Sequence, residues 1–528
     1  MRLTASRRSC APGWRRLRSL HRALRAGAFP GLLALAACGQ TGNGQVGAGF
    51  VTVGGTVTGL AGTVTLQNNG GNSLVLASNG SFTFSASFAP GGSYAVTVLA
   101  QPQGQACAVA NSSGTANANV ANVAVNCMTI TLRALPAVYS TGKAVNYSSL
   151  RTAAGPGVEV PTDAQLKEDL ALLHAAGYRL LRLFGSDPLS ERVLTLAATN
   201  FPDMQFQLGV YLFAIDTAHG AGCDSNATNT AQITTGIRLA NQYPNVATVS
   251  VGNETSFFRQ NMPVVCLAGF IQAIRSQVAQ PLTADDDYGF YCDAAAVSPP
   301  ASECSAAGAA DAILAITDFV SIHTYPMSNP GRWDPAQAAT AAGPGRAQAM
   351  MEAALASAKR GYAAVAGKTY RSAAGNLVSV GASLPIVIGE TGWKARRTNY
   401  ALTLEQYAAT PMNAKWYADL LYGSAPGATL AYAAWEGSAG GPKRIFYFEG
   451  FDEIWKGEGP APAATDDGWG LWGGPDPTVA NYGNLTRTGA PRYILCGAYA
   501  SFSYAGVVYP AAPACNIPET YPGAGYLP

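Results

Sequence analysis

The chain has 528 residues, 48% hydrophobic and only 12% charged, which allows large cores and excludes a disordered polyelectrolyte. Its formal charge of +2 includes eight arginines in residues 1–38, a stretch without lysine or acid, so the remainder carries −6. That balance excludes a nucleic-acid-binding surface, which needs a basic face, and the length predicts two or three domains.

Residues 1–38 read as a targeting segment. Arg2 to Arg25 form a basic region, and Ala26 to Ala37 an apolar stretch too short to span a bilayer. It ends in Leu35-Ala36-Ala37-Cys38-Gly39. This resembles the lipobox of bacterial lipoproteins, in which the cysteine is lipidated and becomes the mature N-terminus. The resemblance implies lipidation at Cys38 and an outer-membrane anchor, on the periplasmic or the cell-surface face. The alternative is an ordinary signal that happens to contain Cys38, giving a secreted protein. Residues 39–49, rich in Gly, Gln, Thr and Asn, predict a flexible tether.

From Phe50 the texture changes to short β runs broken by Gly and Asn, such as Val51-Thr52-Val53, Ser81-Phe82-Thr83-Phe84 and Tyr94 to Val98. Asn68-Asn69-Gly70-Gly71 and Asn79-Gly80 are hairpin signals. Residues 50–128 are therefore expected to form a small antiparallel sandwich. It resembles the immunoglobulin-like or carboxypeptidase-regulatory-like modules that precede exported enzymes. A spacer role is expected rather than carbohydrate binding.

Residues 129–516 alternate strand-like and helix-like segments, the pattern of an α/β fold. Strands are expected at Val145–Tyr147, Tyr178–Phe184, Gln205–Phe213, Val246–Glu254, Leu282–Ala284, Phe319–Tyr325, Pro385–Glu390 and Ile445–Phe451. Thr162 with Gln165 fits a capping box, and Leu166, Leu170 and Leu173 share the face of the helix it starts. Further helices are expected over Leu267–Val278, Arg346–Val365 and Leu404–Leu421. Eight such units predict a (β/α)8 TIM barrel, in which catalytic groups sit at the C-terminal strand ends. Residues 517–528 read as a tail.

Two of these strands end in glutamate: Val251-Gly252-Asn253-Glu254 and Gly389-Glu390-Thr391-Gly392-Trp393. A third segment follows, Phe451-Asp452-Glu453-Ile454-Trp455-Lys456. Paired carboxyls are what cleavage of a glycosidic bond needs, one to protonate the leaving oxygen and one to attack or activate water. Each motif alone has a bland reading as a surface loop or structural strand end; their order on a barrel does not. Side by side, the two glutamates cannot both ionise readily, so one pKa is expected to rise.

With Val145-Asn146-Tyr147-Ser148 and Leu181-Arg182-Leu183-Phe184-Gly185-Ser186-Asp187, these motifs resemble glycoside hydrolase family 17. That is the β-1,3-glucanase and β-1,3-glucan transglycosylase family of clan A, and the resemblance covers residues 143–495. It implies that Glu254 is the general acid and base, Glu390 the nucleophile, and Asn253 a ligand of the sugar 2-hydroxyl. It also implies that Tyr325 orients the nucleophile and that Glu453 and Lys456 hold sugar hydroxyls. Tyr147 and Trp393 are further candidate sugar contacts. Tyr211, Trp455, Trp469 and Trp472 are candidate platforms, with core packing as the alternative. Two features depart from the family. Asp466 stands where a glutamate precedes the Trp469-Gly470-Leu471-Trp472 element, and Thr429 to Lys443, with Trp435 and Glu436, looks inserted and could lengthen or block the cleft.

The implied function is a retaining enzyme on β-1,3-glucan, hydrolase or transglycosylase. A non-catalytic, anchored glucan-binding protein is the alternative. No cofactor and no metal site is expected: Asp285-Asp286-Asp287 reads as a polar loop without EF-hand spacing, and His174, His219 and His323 are scattered. The expected partners are a β-glucan and the outer membrane, with the protein a monomer. Eight cysteines fall as sequence neighbours, Cys107/Cys127, Cys223/Cys266, Cys292/Cys304 and Cys496/Cys515. An even count in an exported chain predicts four local disulfides.

Overall fold

The computed structural model describes residues 49–152, 154–215, 222–294, 303–327, 344–395, 409–424, 431–456, 468–473 and 491–515. The leader with Cys38, residues 39–48 of the tether, Asp466, His219, the first part of the expected 404–421 helix and the 517–528 tail lie outside these residues.

Residues 51–129 fold into two four-stranded sheets. One has the order Gly80–Phe88, Val51–Thr58, Val120–Thr129, Gln105–Ala110; the other Asn72–Leu76, Val64–Asn68, Gly92–Ala100, Ser113–Ala116. Alternation puts Val53, Val57, Val64, Leu66, Phe84, Val96, Val123 and Val125 into a core of their own. Asn69 and Gly70 take the left-handed φ values of 54° and 67° that the tight hairpin demands. The sandwich is not wholly antiparallel: Val51–Thr58 and Val120–Thr129 run parallel, because the first and last strands end up as neighbours after the chain has crossed between the sheets.

A closed barrel of eight parallel strands follows: Lys143–Asn146, Tyr178–Leu183, Gln205–Val210, Val246–Asn253, Leu282–Asp287, Val320–His323, Ile386–Thr391 and Ile445–Tyr447. The last closes on the first, Phe446 opposite Ala144 and Tyr447 opposite Val145. The capping box at Thr162 is present, with Gln165 bonded back to it, and starts helix Asp163–Ala175. Alternation gives each strand an outward and an inward face. Leu181 and Leu183 face outward onto the helices, whereas Leu180 joins Tyr139, Ala144, Phe319, Val387 and Phe446 in an apolar floor inside the barrel.

The four expected disulfides are formed: Cys107–Cys127, Cys223–Cys266, Cys292–Cys304 and Cys496–Cys515. Residues 431–443, the described part of the 429–443 stretch, do not line the cleft and neither lengthen nor block it. Glu436 instead pairs with Arg444 and accepts from the Ile445 N–H, at the start of the eighth strand, and Trp435 is buried beside Tyr362. A charged side chain and an aromatic placed there brace the N-terminal end of the strand.

Candidate active site

Both glutamates are delivered by strand ends that glycine makes possible. Gly252 has φ of +81°, and a Cβ there would press on Thr255 at 3.2 Å. Glu254 follows with φ of 51°, a left-handed conformation that a non-glycine residue rarely takes and that recurs at functional sites. Its N–H is held by the Asp285 carbonyl at 2.9 Å. At the seventh strand, a Cβ on Gly389 would lie 2.3 Å from Ser321 Oγ and 3.1 Å from Asp285 Oδ1. Only glycine leaves room beside Glu390 for the polar layer of the barrel.

That layer is centred on Arg182, buried to 1% exposure on the second strand. Its Nε donates to Asp285 Oδ2 at 2.7 Å, Nη1 to Glu390 Oε1 at 2.5 Å and Asn146 Oδ1 at 2.9 Å, and Nη2 to Asn253 Oδ1 at 2.6 Å. A buried guanidinium without such partners would be prohibitively costly; here its donors are spent on strands one, four, five and seven. Tyr325 donates from its hydroxyl to Glu390 Oε2 at 2.6 Å, so both oxygens of Glu390 are fixed.

His323, fully buried on the sixth strand, stands between the carboxylates. Its Nδ1 is 3.1 Å from Glu254 Oε1, and its Nε2 is 3.6 Å from Glu390 Oε1. One ligand atom each from Glu254, His323 and Glu390 lie within 4.8 Å of one another. Burial alone would favour a neutral imidazole, but the charge of Glu390 and the hydrogen bond and charge of Glu254 outweigh it and raise the His323 pKa. Burial would likewise raise Glu254, yet His323, Arg259 and Arg182 together hold it below the ordinary carboxylate range. The rise expected for one of the paired acids therefore does not fall on Glu254, because cations were not counted in that expectation.

A cleft of about 640 Å³ opens above these groups. Glu254, Glu390, Asn253, Tyr325, Tyr147, Glu453, Lys456, Tyr211, Trp455 and Trp469 all line it. Tyr147 turns its hydroxyl away, to Asp169 Oδ2 at 2.9 Å, and so contributes an apolar wall. Glu453 is ion-paired with Lys456 and accepts from Trp455 Nε1 at 3.2 Å. Trp393 and Trp472 do not line the cleft. Trp393 is buried against Tyr417, and Trp472 is stacked between Phe451 and Tyr499, so both rings are spent on packing. Asp285-Asp286-Asp287 is no loop but the end of the buried fifth strand, affordable because Arg182 and backbone N–H groups satisfy it.

Arg182, His323 and Arg259 escaped the sequence reading as site residues. Arg182 had a signal, an arginine inside the apolar run Tyr178–Leu183. His323 had one too, at the inward register shared with Ser321. Arg259, on the loop after the fourth strand, had none; its Nη2 lies 3.7 Å from Glu254 Oε2 and it bonds the Tyr211 hydroxyl. Glu254, His323 and Glu390 are the one such cluster among the described residues with the donor types for a metal. The Arg182 guanidinium on Glu390 already supplies positive charge there, so the arrangement suits a proton better than a dication.

No protein-family model matches the chain, and no curated protein sequence matches it. Among solved structures it is similar to an endo-laminarinase from Formosa Hel1_33_131, at 19% identity and a TM-score of 0.48, over 63% of this chain and 84% of that one. It is also similar to an active-site mutant of a Rhizomucor miehei β-1,3-glucanosyltransferase in complex with laminaritriose, at 17% identity and 0.38, over 63% and 93%. A third is a β-galacturonidase from Eisenbergiella tayi, at 14% and 0.40, over 85% and 66%. The chemistry below rests on this chain's own side chains.

Proposed function

We propose that the chain is a retaining glycoside hydrolase acting on β-1,3-glucan, by hydrolysis, glucanosyl transfer or both. Glu390 is the nucleophile and Glu254 the general acid and base. The pairing of the site carries the reading: two carboxylates at the ends of strands four and seven, with one oxygen of each within 4.8 Å of the other, meet over a single buried histidine. Retention goes with carboxyl groups about 5–5.5 Å apart and inversion with about 6.5–9.5 Å, which admits a water; the retaining course is part of the proposal. Glu390 is also held as a nucleophile should be, with Arg182 on one oxygen and Tyr325 on the other. In the first step Glu390 attacks C1 while Glu254 protonates the leaving oxygen. In the second, Glu254 takes a proton from water or a sugar hydroxyl that displaces Glu390. Asn253, Glu453 and Lys456 line the cleft and in this reading hold sugar hydroxyls, while Tyr211, Trp455 and Trp469, which line it too, pack on pyranose faces.

The β-1,3 linkage rests on the resemblance of the strand-end motifs. Four disulfides support an oxidising, exported location, and anchoring through Cys38 belongs to the same proposal. Incubation with laminarin tests the reading. The protein should release new reducing ends or longer transfer products, and Glu390→Gln should reduce this to background. Binding of laminarin without turnover would identify an anchored glucan-binding protein instead.

A further inference from the structure

Double displacement needs a proton on Glu254 when the leaving oxygen departs, yet the resting site favours Glu254 as a carboxylate. One buried ring, His323, reaches both carboxylates. We propose that His323 stores the proton of the acid and passes it to Glu254 as the charge on Glu390 disappears. The proposal rests on the retaining reading above and assigns His323 a positioning role that the strand-end motifs do not contain.

The argument is electrostatic and geometric. His323 faces Glu254 from the fourth strand, Asp285 and Asp286 from the fifth, Glu390 from the seventh and Arg182 from the second. Asp287, opposite it in register, turns its carboxylate to the Gly289 N–H. Asp285 is committed to Arg182 and Gln207, and Asp286 to the backbone of Ser256 and Phe257. Of the groups facing the ring, only Glu254 and Glu390 change charge in the reaction. The ring is dry, so its protonation follows the charge 3.6 Å away on Glu390 with little solvent screening.

Atoms and charges balance over the cycle. In the first step an oxygen of Glu390 bonds to C1, and the C1–O bond breaks with its electron pair on the leaving oxygen. That oxygen takes from Glu254 the proton that Glu254 has just received from His323 Nδ1–H. Glu390 is now a neutral ester, Glu254 a carboxylate, and the imidazole neutral. In the second step the attacking O–H bonds to C1 and releases its proton to Glu254. The C1–Glu390 bond breaks, the electron pair restores the Glu390 carboxylate, and the proton returns to His323. Water or sugar hydroxyl is the only co-reactant.

The test is the protonation state of the ring itself. Protein labelled with 15N-histidine is examined free and after trapping with 2,4-dinitrophenyl 2-deoxy-2-fluoro-β-laminaribioside. The His323 nitrogens should report imidazolium in the free enzyme and a neutral ring in the glycosyl-enzyme. The same protonation state in both overturns the proposal while leaving the retaining mechanism intact; failure to form any covalent adduct overturns both. His323→Gln gives a second readout. It should lower kcat/KM about 100-fold for a phenyl glycoside, which needs a proton for departure, and less than about threefold for the dinitrophenyl glycoside. The alkaline limb of its pH profile should move to lower pH, because the proton must then reside on Glu254. Equal losses on both substrates with an unmoved limb would mark a merely structural histidine.

Discussion

The residue that organises the site is Arg182, and its position explains why the paired carboxylates can coexist. It binds Asp285, Glu390 and Asn253, the residue before Glu254, directly. Next to this layer, Asp286 binds the N–H groups of Ser256 and Phe257 and so holds the loop that carries Arg259. Burial pushes its pKa from 3.8 up to about 7. Between those values the folded protein keeps a proton that the unfolded chain has lost, so stability falls as pH rises through that window and is level above it. Asp286→Asn keeps an acceptor oxygen and removes the fall. Its Tm relative to the native protein should therefore climb between pH 4 and 7, with a ceiling of about 4 kcal/mol at about 1.4 kcal/mol per unit. Parallel Tm–pH curves for the two proteins would refute this.

Among the elements, strands were legible in the sequence and strand ends were not. All eight barrel strands are where apolar runs place them, but the third stops at Val210 and the eighth at Tyr447, short of the expected Phe213 and Phe451. The fifth runs on to Asp287, past the expected Ala284, because its aspartates find partners that only tertiary structure supplies. The glutamate motifs were readable because Gly252 and Gly389 mark close approaches in the chain itself. Trp393 and Trp472 were not, since whether an aromatic faces the cleft or the core depends on the helix behind it. The Cys223–Cys266 bond ties the segment after the third strand to helix Val264–Arg275, which follows the fourth. For its separation of 43 residues, loop closure in the unfolded chain gives about 4 kcal/mol. Cys223→Ser with Cys266→Ser should lose stability of that order in denaturant unfolding, and an unchanged midpoint would show the bridge to be dispensable.

At the scale of the molecule, the sandwich does not stand apart. Helix Val264–Arg275 packs against its strands Gln105–Ala110 and Gly92–Ala100, Arg275 Nη2 donates to the Thr131 carbonyl just past its last strand at 2.6 Å, and Gln103 of the sandwich bonds Ala374 of the barrel domain at 2.8 Å. Ala106 is counted in the barrel's outer core. Inside the barrel the layers rise from an apolar floor through the Arg182 network to the two carboxylates, so the chemistry sits on a hydrogen-bonded base. The order of those layers makes the distance between Glu254 and Glu390 a property of the whole barrel, and that distance dictates the stereochemical course. Proton NMR of the first product released from a β-1,3-glucan oligosaccharide reads it directly. The β-anomer should appear first and then mutarotate; an α-anomer as first product would mean inversion and would contradict the assignment of Glu390 as nucleophile.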